Sequence, residues 1–408
     1  MTARRVRGGR LIDRGKPCRF TFDGRSFQGV AGDTLASALL ANGRRIVGRS
    51  FKYHRPRGIV AAGVEEPNAL VGLGRDGRFE PNRRATTTPL FEGLQATSQN
   101  RWPSLEWDIG AVAALAARFL PAGFYYKTFI HPRPAWKHVF EPLIRRSAGL
   151  GRAPDPEDRD ADRYEHFHAH VDVLVAGGGV AGLAAALVAG RAGLKVLLCE
   201  QSPHWGGRSP VDGVEIDGAP AGDWIDATVA ALEALSNVAL RPNTQVSGVH
   251  DHGYVIACES VGDLAPGTDA PRHRLWRVRA RHVIAATGAL ERPLSFAGND
   301  KPGVMLASAV RDYLVDYGVS AGDRTVVVTN NDDAYRTAIA VKSAGLDVPC
   351  VVDARPRADG ALPRRARALG IPVRTGAAIA DVGGRRGVAA VRLCAQAGQG
   401  GATEEIAC

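Results

Sequence analysis

Residues 171–200, VDVLVAGGGVAGLAAALVAGRAGLKVLLCE, limit the fold of this chain more than any other stretch. Val171, Val173, Leu174 and Val175 make a short apolar, β-branched run suited to a buried parallel strand. The turn that follows spaces Gly177, Gly179 and Gly182 as G-x-G-x-x-G, and Val180 and Ala181 open an Ala-rich helix that runs to about Gly193. A second apolar strand, Lys195 to Leu198, leads to Glu200. Each part has a physical task. Gly177 permits the tight turn, Gly179 lets the backbone approach a pyrophosphate, and Gly182 lets the helix pack close to the strand. The helix N-terminus then offers free N–H groups and a positive dipole end to phosphates. Glu200, 18 residues past Gly182, stands where a carboxylate accepts hydrogen bonds from ribose hydroxyls. Strand, turn, helix, strand and acid occur in the required order, so the stretch predicts a dinucleotide site.

At 408 residues the chain has room for about two or three domains and a sizeable core. Hydrophobic residues at 45% and charged residues at 23% give ordinary globular composition and exclude a disordered chain. No run approaches the roughly 20 apolar residues of a membrane span, and the start MTARRVRGGR lacks a signal-peptide apolar core. Cys18, Cys199, Cys258, Cys350, Cys394 and Cys408 are scattered without a C-x-x-C pair. That argues against a zinc or iron–sulfur cage, fits a reducing cytosol and predicts a cytoplasmic protein. The net charge of +10 is spread along the chain, as on an Arg-rich solvated surface or a subunit interface. No nucleic-acid motif accompanies it.

The N-terminal region reads as a separate small domain. Residues 19–22 and 26–30 flank Asp23-Gly24 and predict a β-hairpin with its register fixed by that turn. Asp33 is expected to cap a helix with Leu35, Ala38 and Leu39 on its apolar face, ended by Gly43. This start resembles the β-grasp ferredoxin fold, in which a cysteine-rich loop would follow. Here residues 48–58, GRSFKYHRPRG, contain no cysteine, so no thiolate is available there to hold iron. Arg49, Lys52, Arg55 and Arg57 could face a phosphate, a carboxylate or an acidic partner, or pack on a neighbouring domain. His54 reads as structural.

Residues 111–120 read as helical, and Trp102, Trp107, Phe124, Tyr125, Tyr126, Phe129 and Trp136 make the region aromatic-rich, suited to packing against a domain or another subunit or to stacking on a ligand. Residues 149–168, rich in Gly, Asp and Arg, read as a surface linker. After Glu200 and Gln201, the loop SPHWGGR can return over a nucleotide, with Gly206 and Gly207 allowing close approach beside Arg208. Residues 238–240 and 244–249 read as strands, and the backbone near Val246 is expected to border an adenine. Residues 254–259 and 276–280 suggest a hairpin. HVIAATG, residues 282–288, reads as a buried strand ending in a small-residue turn, Thr287-Gly288, against the pyrophosphate. That ending is a second sign of an oxidoreductase with two dinucleotide domains. A second βαβ unit follows: strand 324–329, helix 334–344 and strand 348–352, ending at Asp353. Its turn, TNNDDAY, has no glycine, and Asp332 and Asp333 would repel a pyrophosphate. This unit is read as Rossmann-like without a dinucleotide.

Taken together, GDTLASALLANG, FKYHRPRGI, EEPNALV, SQNRWPSL, AGFYYKTF, GGGVAG, VSGVHDHGYV, AATGALERPL and VVVTNNDDAYRTA resemble the α subunit of bacterial heterotetrameric sarcosine oxidase. The likeness covers nearly the whole chain. It implies an α/β fold with a Rossmann-type domain of the two-dinucleotide-domain flavoprotein type. A degenerate second Rossmann-like domain and an N-terminal β-grasp ferredoxin-like domain without cluster cysteines complete it. The expected boundaries are 1–105 for the ferredoxin-like domain, 106–168 for a connector, 169–297 for the nucleotide domain and 298–408 for the degenerate one.

In that family the α subunit binds NAD, the β subunit carries FAD and a covalently attached FMN, and a C-terminal folate domain of α receives the one-carbon unit on tetrahydrofolate. The resemblance implies β, γ and δ subunits as partners, and oxidative demethylation of sarcosine to glycine. A related amine or opine oxidase subunit, or a FAD/NAD-binding scaffold, is the alternative. The expected cofactor contacts are Gly177, Gly179, Val180, Ala181, Gly182, Glu200, Gln201, Gly207, Arg208, Val246, Thr287 and Gly288. No residue is assigned a catalytic or metal-binding role. Family α subunits are more than twice as long, so the sequence reads as an N-terminal fragment without the folate domain. Its last residues, IAC, read as the start of a strand returning to an otherwise incomplete nucleotide sheet.

Overall fold

A computed structural model describes residues 4–120, 123, 127, 129, 131–147, 157, 163–262, 270–395 and 401–408. Its backbone divides into two compact units, Asp160–Leu290 and Met1–Arg159 with Glu291–Cys408.

The unit Asp160–Leu290 is built on a six-stranded sheet. The strand Tyr164–Ala176 has Val196–Cys199 and then Val238–Arg241 on one side. On the other lie His273–Ala285, Tyr254–Ser260 and Thr244–His250 in turn. The first four of these strands are parallel, and the last two pair antiparallel. Parallel strands need a crossover, supplied here by the helix Val180–Arg191. Leu183 and Ala186 of that helix are buried against Val173, Val175, Val196 and Leu198, and Ile225 and Leu232 of the helix Ala221–Glu233 close the same core. The opposite face buries Val171, Leu174, Val255 and Val278.

The central strand starts at Tyr164, inside the stretch expected to be a linker, because residues 164–170 pair with His273–Arg279. The strands expected at 276–280 and from 282 are likewise one continuous strand, His273–Ala285. Its far end is less covered than its apolar sequence suggests. His282 is exposed and Val283 and Ile284 are half-buried. From His282 onward it pairs with Val173–Ala176, and no strand lines its other edge among the described residues.

In the other unit the expected hairpin forms from Asp13–Phe22 and Arg25–Ala31. Asp23 (φ 52°) and Gly24 (φ 76°) take the left-handed conformation that two-residue hairpin turns require. These strands belong to a five-stranded sheet with Leu94–Ser98, Leu70–Leu73 and Glu80–Arg84. The helix Leu35–Ala41 is buried throughout and is capped by Thr34, whose hydroxyl accepts the Ser37 N–H, not by Asp33. Asp33 is taken up elsewhere. Its carboxylate is fully buried, pairs with Arg5 at 2.7 Å, and accepts the Ser37 hydroxyl at 2.7 Å.

Three parallel strands, Val327–Thr329, Val351–Asp353 and Val373–Thr375, form the expected second Rossmann-like sheet. Tyr335, Ala338 and Val341 of the helix Asp333–Ser343 are buried with Val351. The N-terminal sheet and this domain share one unit. The Tyr313 hydroxyl donates to Ala61 O at 3.0 Å, and Leu306 N to Val60 O at 2.8 Å. The final strand, Ala402–Ala407, does not return to the nucleotide sheet as expected. It pairs antiparallel with Ala390–Ala395, Ile406 opposite Val391, as the third strand of a separate sheet begun by Ala377–Gly383. Ile406 finds its apolar surface there, packed against the core formed by Cys350, Val352, Val382 and Leu393.

Candidate dinucleotide site

Two turns converge at the C-terminal ends of the parallel strands. Ala176 is followed by the glycine turn, Ala285 by Ala286, Thr287 and Gly288, and Ala286 N donates to Ala176 O at 2.8 Å. Gly177 has φ +106°, and a Cβ there would lie 2.3 Å from Ala286 O. Only a residue without a side chain fits between the turns. At Gly182 a Cβ would lie 1.9 Å from Gly177 O, so the helix could not seat against the turn. Gly179 differs: a Cβ there would meet nothing within 4 Å. The protein therefore leaves open space at the position whose backbone is expected to approach a pyrophosphate.

The helix behind that space begins at Val180. Gly179 is its N-cap, no side chain caps it, and its first turn carries no acidic residue. Val180 is half-buried and Ala181 exposed. Backbone N–H groups of such a turn, with the dipole behind them, suit an anion.

Glu200 directly follows the second strand and is 8% exposed. Its Oε2 accepts the Gly178 N–H at 2.6 Å and its Oε1 the Ser202 N–H at 2.8 Å. The acid therefore ties the glycine turn to the loop after the second strand. Each carboxylate oxygen has a second lone pair, so both can still accept a ribose hydroxyl. Beside it, burial pushes the Cys199 thiol up to about 12.

The loop after Glu200 returns as expected. Gly206 N donates to Gly178 O at 2.8 Å, and Gly207 is so near that its Cβ would lie 3.2 Å from Gly179 Cα. Trp205 packs over Gly178, where a Cβ would meet its ring at 2.4 Å. Gln201 is exposed, and Arg208 is engaged with Asp212 at 3.3 Å. Thr244 N donates to Glu200 O at 2.7 Å and sets the start of the next strand beside the acid. Val246 follows two residues later, its side chain packed against the sheet core opposite the helices. Thr287 and Gly288 are exposed at the second turn, and Gly288 has φ +69°. Gly177, Gly179, Gly182, Glu200 and Gly207 are thus gathered around one turn. Thr287 and Gly288 follow the strand end hydrogen-bonded beside it, and Val246 stands further along the sheet.

At the second βαβ unit both turn carboxylates are paired with arginines, one of which sequence reasoning missed. Arg355 binds Asp332 at 2.8 Å and the buried Asp353 at 2.7 Å, and the Tyr335 hydroxyl donates to Asp353 at 2.8 Å. Burial raises the Asp353 pKa, but hydrogen bonds from Arg355 and Tyr335 outweigh it and hold the carboxyl below its usual value. Asp333 pairs with Arg311 at 3.0 Å. An arginine two residues beyond the strand-end acid was the available signal.

The basic loop 48–58 turns inward. Arg49 donates to Leu105 O and His54 O, each at 3.0 Å, and Arg57 pairs with Asp300 at 2.8 Å. His54 Nδ1 lies 2.8 Å from Asp108 Oδ2, a structural role as expected. These cations bind the chain's own carbonyls and carboxylates. Phe129 packs on Phe140 at 5.0 Å between ring centroids, whereas Phe124, Tyr125 and Tyr126 lie outside the described residues. Among the described residues no group of three His, Cys, Asp or Glu could hold a metal ion, and no helix is long and apolar enough to cross a membrane.

Comparison with known proteins agrees with this architecture. A family profile described as a 2Fe-2S iron-sulfur cluster binding domain matches residues 15–101, and one described as FAD dependent oxidoreductase matches residues 172–248. The first profile's cluster does not fit this chain, because Cys18 is the one cysteine within the matched residues. The sarcosine oxidase subunit alpha of Rhizobium meliloti (strain 1021) is 53% identical over 85% of this chain and 35% of its own length. That of Corynebacterium sp. (strain P-1) is 39% identical over 91% of this chain and 34% of its own. The chain thus spans about a third of the length of the curated relatives it matches. Among solved structures, L-proline dehydrogenase from P. horikoshii shares the fold, with TM-score 0.61 and 19% identity over 96% of this chain and 59% of that one. The fold is α/β: a ferredoxin-like N-terminal domain, a Rossmann nucleotide domain and a second Rossmann-like domain.

Proposed function

Because the chain belongs with sarcosine oxidase α subunits, matching about a third of their length, we propose that it forms the NAD-binding part of such an oxidoreductase subunit. The observation that carries this reading is the open space at Gly179 before an uncapped helix, with Glu200 fixed beside it. The Val180 and Ala181 N–H groups would hold the pyrophosphate, and Glu200 would accept from the adenosine ribose. Gly207 leaves room for the loop above, and Thr287 and Gly288 border the turn. When bound, NAD supplies a nicotinamide able to take or give a hydride.

NAD is preferred to NADP on electrostatic grounds. A 2′-phosphate would meet the buried Glu200 carboxylate, and Arg208, the nearest cation in the following loop, is committed to Asp212. The second unit would take no dinucleotide: its turn has no glycine to let the backbone approach a pyrophosphate, and its arginines Arg355 and Arg311 are already paired with Asp332 and Asp333.

The whole complex would demethylate sarcosine to glycine in the cytoplasm, with FAD and FMN in a β subunit, γ and δ subunits alongside, and tetrahydrofolate bound by a further part of α. No residue of these 408 is assigned to that chemistry. The test is to denature the purified natural polypeptide and identify what it releases. One NAD per chain is expected. Release of FAD from this chain, with no NAD, would assign the first site to the flavin.

A further inference from the structure

An apolar surface after the N-terminal sheet has no part in the nucleotide site. Residues Ile109–Phe119 form a 3-10 helix of 11 residues, and in such a helix positions three apart eclipse one another. Ile109, Val112 and Leu115 therefore make a single stripe, and they are 56%, 63% and 86% exposed. At a rise of about 2 Å per residue the stripe is roughly 12 Å long. Trp102 and Trp107, 62% and 75% exposed, stand at its start.

The start of the stripe is anchored to the domain. Ile109 N donates to Trp102 O at 2.7 Å, and Trp102 N to Asp108 Oδ1 at 2.8 Å. Asp108 is fully buried against His54, and Gly110 lies so close to the His54 ring that a Cβ would come within 2.3 Å of it. Anchoring of Trp102 and Ile109 in this way lowers the freedom that this end of the stripe would lose on contact, which favours a specific interface.

Charge indicates what the contact would be. The Arg386 guanidinium lies 5.8 Å over the Trp107 ring. The acids of the same segment are already taken, Glu106 by Arg44 at 2.8 Å and Asp108 by His54 at 2.8 Å. An incoming carboxylate would therefore meet Arg386 beside Trp107, and Trp and Arg are the side chains that dominate interface energies. A second copy of this chain would offer no free acid from the matching segment, since its Glu106 and Asp108 are equally taken.

We propose that the stripe Ile109-Val112-Leu115, with Trp102, Trp107 and Arg386, is a docking surface for a protein subunit that presents an apolar patch rimmed by carboxylates. This rests on reading the chain as one subunit of a complex.

The test uses the natural polypeptide purified with its stoichiometric subunits, each identified by mass spectrometry. Hydrogen exchange over residues 102–119 is measured with the subunits bound and after their separation. The expected result is exchange slowed about tenfold or more in the complex, with an acidic segment of one identified subunit protected in parallel. Leu115→Asp and Arg386→Glu should each weaken association about tenfold, while NAD affinity and melting stay unchanged. Val112→Ser provides a second variant should Leu115→Asp lower the melt. Gly179→Ala should leave association intact, so a failure of the nucleotide reading shows separately. Unchanged exchange on binding, or association within about twofold in all the variants, overturns the proposal. Self-association abolished by Leu115→Asp, or flotation with phosphatidylserine vesicles, overturns it in favour of a second copy or a lipid surface.

Discussion

The Glu200 carboxylate accepts the Gly178 N–H at 2.6 Å, so the acid directly following the second strand is bonded to the turn ending the first. Through Ser202 N at 2.8 Å it also holds the loop that returns over the turn. Glu200→Ala should therefore have two effects. Leaving these N–H groups unpaired should destabilise the nucleotide unit by about 1–3 kcal/mol, and NAD binding should weaken by about 1–3 kcal/mol. Thermal melts and nucleotide titration check both. A variant with wild-type melting and affinity would remove Glu200 from the site.

Gly179 and Gly182 separate binding from folding. Gly179 has φ −68° and open space around a Cβ, so Gly179→Ala should keep the wild-type melt while reducing dinucleotide affinity about tenfold or more. Gly182→Ala places its methyl 1.9 Å from Gly177 O and should lose about 2 kcal/mol or more of stability together with binding. Equal melting of the two variants would contradict the assigned packing.

The Asp353–Arg355–Tyr335 network should show in acid. The folded pKa of Asp353 is lowered, so its contribution is present above the unfolded value of about 3.9 and is lost as pH falls through the folded value. Asp353→Ala should cost about 2–3 kcal/mol at pH 7. The gap between wild type and variant should hold down to about pH 4 and close only below it. A gap already closing near pH 6 would show that another group titrates there.

The sequence made the nucleotide site legible because local requirements coincide there. A glycine at 177 answers a backbone clash, and a β-branched run answers burial on both faces. Where partners are distant or polar, the pattern was hidden. Residues 164–170, YEHFHAH, show no apolar alternation, follow a charged run and pair more than 100 residues away. Asp33 has the chemistry of a helix cap, yet Arg5, a distant neighbour in sequence, claims its carboxylate, and Thr34 takes the cap. The inward turn of Arg49 and Arg57 depended on Leu105 and Asp300, which local reading could not bring near.

The N-terminal domain should contain no iron. Cys18 is the one cysteine in residues 15–101, and residues 48–58 instead place Arg49 and His54 against Leu105 O and Asp108. Iron and acid-labile sulfide in the natural polypeptide should fall far below one cluster per chain. A stoichiometric cluster assigned to these residues would require ligands other than the cysteines of this segment.

Calorimetric titration of the natural polypeptide, stripped of nucleotide, with NAD and then NADP measures whether the first βαβ unit selects NAD through Glu200. One NAD should bind per chain, about tenfold or more tighter than NADP, and Glu200→Ala should shrink that preference. Tighter binding of NADP, or a preference unchanged in Glu200→Ala, would show that Glu200 does not set the choice of nucleotide.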